Sequence, residues 1–363
     1  MPTIKDIARL AGVSVTTVSR ALNGYSDVSE ATRQKIKKIA EELNYTPNSI
    51  ARGLVMKKTN TVGLVVSEII KPGVYHPFFL EVLSGIKAAL HRSGYDIILF
   101  TVDPESQGKT SYERLCKERK VDGTIVQGLK LSDPYIEQIK STDIPTVLID
   151  IPILTERVGY VSSDNVKGAF DAVNYLVQLG HRKIGLINGH KDAAVSIERL
   201  EGYRKALEHY GIPYDERYVA YGDYTQQSGA EAFKKLLREV PQITAVFCAS
   251  DLMAVGALKA AGEMGKKVPD EISIVGFDDI ELSTLITPNL TTIRQEKYRI
   301  GYKAAELLLS IIRGEKPRHA VIPHRLVVRQ STRLYLQDTR RAGHCTDAAV
   351  QQNPGERSNE SAS

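Results

Sequence analysis

The chain has 363 residues, 42% of them hydrophobic and 25% charged, with a formal net charge of +5 at pH 7. That length exceeds one ordinary core and implies two or three domains. The composition excludes a membrane span, since no run of about 18 apolar residues occurs.

The start, MPTIKDIARL, mixes charges into its apolar positions and lacks the apolar block of a signal peptide, so a cytoplasmic protein is expected. Cys116, Cys248 and Cys345 are far apart and have no metal-site spacing; neither a disulfide framework nor a zinc site is expected, and no cofactor. Charge becomes informative once divided along the chain. Residues 1–58 hold ten Lys and Arg against five Asp and Glu, a local +5 that equals the balance of the whole chain. A basic head on a neutral body points to a polyanion as the partner of the head, because neutralising phosphates releases condensed counterions.

Three short helices are predicted in this head. Thr3 and Asp6 have capping-box spacing, and Ile4, Ile7, Ala8 and Ala11 form one apolar stripe. In AGVSVTTVSRALNG, residues 11–24, Gly12 supplies a turn, Ser14 caps a helix, and Val18, Ala21 and Leu22 share its apolar face. Val15, Thr16, Ser19 and Arg20 point elsewhere. Such a face suits a helix in a DNA major groove, and it equally suits a solvated surface helix. In the third helix Ser29 is the cap and Ile36, Ile39, Ala40 and Leu43 fall on one face, with Arg33, Lys35, Lys37 and Lys38 nearby. Next comes TPNSIARGLVMKK, residues 46–58, a marginal helix weakened by Gly53. It reads either as a segment that folds against a partner or as a plain linker.

From Thr59 the pattern changes to short apolar runs alternating with amphipathic stretches. Strands are predicted at 62–66, 97–102, 123–127 and 146–150, then at 183–187, 245–249 and 272–276. Helices are predicted at 79–93, 166–179, 197–210, 226–239 and 251–264. Two series of this kind predict two lobes of parallel sheet covered by helices, with a ligand cleft outside the carboxyl ends of the strands. Asp150, Asp251, Asp278 and Asp279 end or follow strands, and Arg199 and Tyr224 lie in SIERLEGYR and GDYTQQSG. An aspartate there also serves as the cap of the next helix, an alternative open for Asp251 and Asp279. Phosphate-loop, zinc-hydrolase and serine-esterase signatures are absent, which argues against an enzyme. His181 and His190 flank the strand at 183–187 without a nucleophile or metal partner at helical spacing, as surface or core histidines do. The last stretch, residues 334–363, whose final third is rich in Ser, Asn, Glu, Gly and Pro, is expected to be a disordered tail; Leu334 and Leu336 form no heptad.

TIKDIARLAGVSVTTVSRALNG followed by VSEATRQKIKKIAEELNYTPNSIARGL resembles the head of the LacI/GalR family of bacterial transcriptional regulators. The resemblance extends to ASDLMAVGAL and GFDDIELSTLITPNLTTIRQ in the body. It implies an α/β fold: an N-terminal three-helix helix-turn-helix DNA-binding head with hinge helix, 1–58, then a two-lobed periplasmic-binding-protein-like body, 59–333. It places Val15, Thr16 and Arg20 at base-reading positions, and Ser14, Thr17, Ser19, Asn23 and Tyr45 where the family contacts backbone or groove. Leu54 matches a leucine wedged into a central base step, with Asn48, Ala51 and Arg52 as its neighbours. Arg199 and Asp278 would hold opposite sides of a hydroxylated ligand, Tyr224 would stack on it, and Phe78 and Phe79 would line the first lobe, unless they are core residues on a helix start. Asp150 and Asp251 complete the expected effector site. Lobe crossings are expected near 160–162, 289–293 and 322–325, the helix at 295–313 returning to the first lobe. The implied partners are double-stranded palindromic operator DNA, a sugar-like small-molecule effector and a second copy in a homodimer. Some members use a phosphorylated carrier protein as corepressor, so a protein partner stays open. A sugar-binding sensor or transport body with an incidental head is the competing reading, opposed by the charge partition.

Overall fold

The computed structural model describes residues 2–45, 58–67 and 76–335. Residues 46–57 of the expected hinge segment, with Asn48, Ala51, Arg52 and Leu54, lie outside the described residues, as does the tail beyond Tyr335, with Leu336.

The head contains α1 (Ile4–Ala11), α2 (Val15–Leu22) and α3 (Glu30–Glu42). Each start follows from a short polar side chain. The Asp6 carboxylate accepts from the Thr3 backbone N–H at 2.9 Å, Ser14 accepts from the Thr17 N–H at 3.0 Å and Ser29 from the Thr32 N–H at 3.3 Å. Gly12 ends α1 at φ +68°, a left-handed turn that glycine makes without steric penalty. The three apolar stripes meet in a core of Ile7, Ala11, Val18, Ala21, Ile36 and Ala40.

The body has two six-stranded sheets. The first-lobe elements are β1 (Thr61–Ser67), α4 (Pro77–Arg92), β2 (Asp96–Val102), α5 (Pro104–Lys109), α6 (Tyr112–Arg119), β3 (Gly123–Gln127), α7 (Pro134–Lys140), β4 (Thr146–Ile149) and β5 (Val158–Ser163). The chain then passes to the second lobe with α8 (Asn165–Gln178), β6 (Ile184–Asn188), α9 (Ala194–His209) and β7 (Val219–Tyr221), followed by α10 (Gln226–Glu239), β8 (Ala245–Cys248), α11 (Asp251–Glu263), β9 (Ser273–Asp278), α12 (Leu282–Leu285) and β10 (Thr291–Gln295). It returns to the first lobe with α13 (Lys297–Ile312) and β11 (His319–Ile322), and β12 (His324–Val327) rejoins the second sheet.

Strand order is β11-β5-β4-β3-β1-β2 in the first sheet and β12-β10-β9-β8-β6-β7 in the second. Among the described residues every pairing is parallel except β12 against β10. Apolar side chains fill both faces of each sheet, as buried parallel sheets require. The expected lobes and helices are present, but two of the three crossings are displaced. Residues 160–162 belong to β5 and the crossing falls at 163–165; residues 291–293 belong to β10 and the return falls at 295–297. The third lies at residue 323, inside the expected range. The strands that carry the crossings run to their sheet ends before leaving, which the apolar pattern alone does not mark. The body also extends past the expected boundary at 334. The Tyr335 N–H donates to the Leu179 carbonyl at 2.7 Å, and its ring stacks on His181 with centroids 5.3 Å apart.

Candidate functional site

The carboxyl ends of both sheets face a common cleft, which encloses a cavity of about 310 Å³. Its wall comes from both lobes: Phe78, Gln127 and Asp150 from the first, Arg199, Tyr224 and Asp278 from the second. Open parallel sheets place ligands at this end, where loops diverge and backbone groups are unpaired by the ladder.

Arg199 projects from α9 and is 3% exposed. Its Nε donates to Asn165 Oδ1 at 3.0 Å, a second nitrogen donates to the Ala249 carbonyl, and the guanidinium lies 3.9 Å from the Phe277 ring centroid. The planar fork is thereby held in one orientation before any ligand arrives. Asp278 ends β9. Its carboxylate accepts from Gln295 Nε2 at 2.7 Å, and its backbone carbonyl accepts from Lys297 Nζ at 2.8 Å. Asp150 follows β4 and accepts from Ser162 Oγ at 2.9 Å.

Burial pushes both carboxyls above the ordinary aspartate range, and the Arg199 charge only partly offsets this. These two acceptors are therefore held in a site that desolvates them, and hydroxyl donors from a bound molecule would relieve that penalty. The Tyr224 hydroxyl is 2.6 Å from Ser196 Oγ, and its ring covers Gly189 so closely that an added Cβ would come within 2.0 Å of it. The flat face is thus fixed by packing.

Two expected cleft residues are not in the wall. Phe79 is buried with Val82 and Ile86 in the first-lobe core. It and Phe78 are successive residues of α4, about 100° apart around the helix axis, so only Phe78 reaches the cavity. Asp251 is fully buried behind the wall as the first residue of α11, which Ser250 caps. Its carboxylate accepts from the Ile280 N–H at 2.9 Å and from Thr292 Oγ1 at 2.5 Å. These bonds tie the turn that follows Asp278 to β10. Asp279 likewise points away, accepting from Arg329 at 2.6 Å and pairing with Arg294; these hydrogen bonds outweigh the upward push of burial and hold its carboxyl low.

Gln127 is a wall residue that sequence reasoning passed over, and His190 is one that it read as a surface or core histidine. Gln127 ends β3, and its buried Oε1 has no partner among the described residues. Its place at the carboxyl end of a predicted strand was the available signal. His190 lines the cavity with its ring edge-on to Tyr224, whereas His181 is a core histidine bonded to Thr244 at 2.9 Å and Ser273 at 3.1 Å. Burial lowers the His181 pKa to about 4, so it stays neutral.

On the head, α2 turns Val18 and Ala21 inward and leaves Val15, Thr16 and Arg20 exposed. Arg20 pairs with Asp27 at 2.9 Å and lies 5.4 Å from the Tyr25 ring centroid. Ser14 is occupied as the cap, with its hydroxyl 2.9 Å from that of Thr17, and Asn23 Nδ2 donates to Ser19 Oγ at 3.3 Å. Tyr45 packs half-buried against the head core. Among the described residues no helix is long and apolar enough to cross a membrane, and no group of three or more His, Cys, Asp or Glu side chains is placed to hold a metal.

The family model for periplasmic binding proteins and the sugar binding domain of the LacI family matches residues 59–330, and that for bacterial regulatory proteins of the lacI family matches residues 3–48. The chain belongs to the LacI family. The HTH-type transcriptional regulator CelR of Thermobifida fusca is 38% identical over 337 residues, covering 91% of this chain and 98% of CelR. Catabolite control protein A of Priestia megaterium is 36% identical over 334 residues, 91% and 99% of the two chains. Among solved structures, the lac repressor dimer bound to operator and the anti-inducer ONPF has a TM-score of 0.77 at 30% identity, covering 92% of this chain and 99% of that one. The complex of CelR with cellobiose has a TM-score of 0.70 at 36% identity, with coverage of 91% and 100%. This LacI-family chain is thus an effector-controlled, DNA-binding transcriptional regulator, with a helix-turn-helix head and a two-lobed effector body.

Proposed function

We propose that the chain acts in the cytoplasm, without catalysis, as a dimeric repressor that grips a palindromic operator and is controlled by a sugar or sugar derivative in the interlobe cleft. The observation that carries this reading is the chemistry of the cavity wall. Asp278 and Asp150 offer acceptors, Arg199 a fixed donor fork, and Tyr224 and Phe78 apolar faces, which together match a ring whose edge bears hydroxyls and whose faces are C–H. The CelR–cellobiose complex supports the ligand class. A cavity of about 310 Å³ suits a small molecule as the signal.

On the head, Arg20 is assigned to read guanine through its fork, exchanging Asp27 for the base edge, while Val15 and Thr16 contact neighbouring bases. Ser14, Thr17, Ser19, Asn23 and Tyr45 are assigned to backbone and groove, as are Asn48, Ala51, Arg52 and Leu54 of the 46–58 segment. A ligand that binds one arrangement of the lobes more tightly shifts the population toward it, and operator DNA must shift ligand affinity by the same factor.

The test is a gel shift with a palindromic duplex bearing a central CG step, with random DNA as competitor. Binding that weakens steeply as salt rises is expected, with Arg20→Ala losing about 1–3 kcal/mol of discrimination. Equal discrimination by Arg20→Ala and the parent protein would refute the readout. A thermal-shift series with cellobiose and ribose tests the cleft: a bound sugar raises the melting temperature of the parent chain, and Arg199→Ala abolishes the rise.

A further inference from the structure

We infer that Ser132 and Asp192 form a latch across the mouth of the cleft, positioning the two lobes in the closed arrangement without touching the ligand. The loop after β3 belongs to the first lobe and the loop after β6 to the second. Between them the Leu131 N–H donates to the Asp192 carbonyl at 2.9 Å, and Ser132 Oγ donates to Asp192 Oδ2 at 2.5 Å. The Ser132 hydrogen bond, with lesser help from the Lys130 and His190 charges, holds the Asp192 carboxyl below the ordinary range, as a charge-assisted bond to the ionised form does.

The position of this contact gives it leverage. All three crossings run through β5, β10, β11 and β12, at one edge of each sheet. The latch instead hangs from β3, two strands from β5, and from β6, three strands from β10. At about 4.8 Å per strand, it stands roughly 10–14 Å from the crossings. Rotation of one lobe about the crossings displaces the latch far more than it displaces residues beside the hinge, so opening the cleft separates Ser132 from Asp192. Gly128, Lys130, His190 and Ala193 on the same two loops line the cavity, so the bridge sits at its rim and not inside it.

Loss of the Ser132–Asp192 side-chain bond alone, weakened by solvent at the exposed rim, changes the closed-to-open ratio by about two- to tenfold. The inference extends the reading of the cleft as an effector site, but its test needs no ligand, so failure of one is told apart from failure of the other.

The experiment measures the distance between nitroxide labels at Ser141→Cys on the first lobe and Glu208→Cys on the second, by pulsed electron paramagnetic resonance on the full chain. Cys345→Ser removes the tail thiol, and labelled protein is diluted in unlabelled protein so that only distances within one chain are read. Cys116 and Cys248 are buried, with thiols pushed up by that burial, Cys116 to about 12, so neither takes the label. Asp192→Ala and Ser132→Ala are expected to broaden the distribution toward longer distances, with the closed population falling about two- to tenfold relative to the open one. Asp192→Asn keeps an oxygen acceptor but not the charge, and is expected to lie between the parent distribution and that of Asp192→Ala. Unchanged distributions in Asp192→Ala and Ser132→Ala, or Asp192→Asn displaced as far as Asp192→Ala, would overturn the assignment. Circular dichroism checks folding, and should Asp192→Ala fail to fold, Ser132→Ala breaks the same bond from the opposite lobe and decides the matter.

Discussion

Asp150, Tyr224 and Asp278 have φ of +62°, +68° and +123°, a region that side-chain-bearing residues rarely occupy, and all three line the cavity. Backbone strain and carboxylate burial therefore coincide at the site, so the cleft is arranged for a ligand at the expense of the empty protein. For Asp278 the sign is definite. A carboxyl whose folded value is raised above its unfolded one lowers stability as pH rises from the unfolded value through the folded one, and that loss is complete at pH 7. Asp278→Asn is accordingly expected to raise the thermal midpoint of the ligand-free body at pH 7 by about 2–4 °C, while abolishing the sugar-induced shift. Scanning calorimetry at pH 7 and pH 4 checks this: the gain should shrink at the lower pH. Gly189→Ala acts on the neighbour. Its Cβ collides with the Tyr224 ring, so the ring must leave its place, and calorimetric affinity for the sugar should fall at least tenfold with the fold retained.

Pairs of helices in the body approach so closely that backbone meets backbone. A Cβ on Gly85 of α4 would lie 2.0 Å from the Tyr298 carbonyl of α13, and one on Gly301 of α13 would lie 1.9 Å from the Val82 carbonyl of α4. The same reciprocity joins α10 to α11 through Gly229 and Gly256. Gly301→Ala has no flexible side chain to displace, so it should destabilise the body by about 1–3 kcal/mol or more, read by urea unfolding. In the head, Ser14→Ala removes the cap of α2 and should cost about 1 kcal/mol.

Caps and strong periodicity made the three head helices and the central strands legible in the sequence. The strands that escaped were β5, β7, β10, β11 and β12. Several are short edge elements, and VGYVSS and TTIRQ carry small or polar side chains whose burial depends on partners distant in the chain. The cleft was legible where chemistry is local to a strand end, as at Asp150 and Asp278. It was not where only helix phase separates neighbours, as at Phe78 and Phe79, or where a carboxylate finds donors some 30 to 40 residues away, as Asp251 does at Ile280 and Thr292.

At the scale of the molecule, a basic head and a balanced body divide the labour between polyanion binding and signal reception. Removing residues 2–58 should abolish operator binding in a gel shift and leave the sugar-induced thermal shift intact. The three crossings also fix how the protein must be made. The first lobe is not a continuous stretch: α13, whose Ile300, Ala304 and Leu308 fill its core, and edge strand β11 are synthesised after nearly all of the second lobe. A nascent chain that has reached residue 290 therefore holds a first sheet on which α4 covers only part of the face that α13 will complete. Neither lobe can be released intact by a single cut, and a ribosome stalled before α13 would present a sticky sheet to chaperones instead of a finished domain.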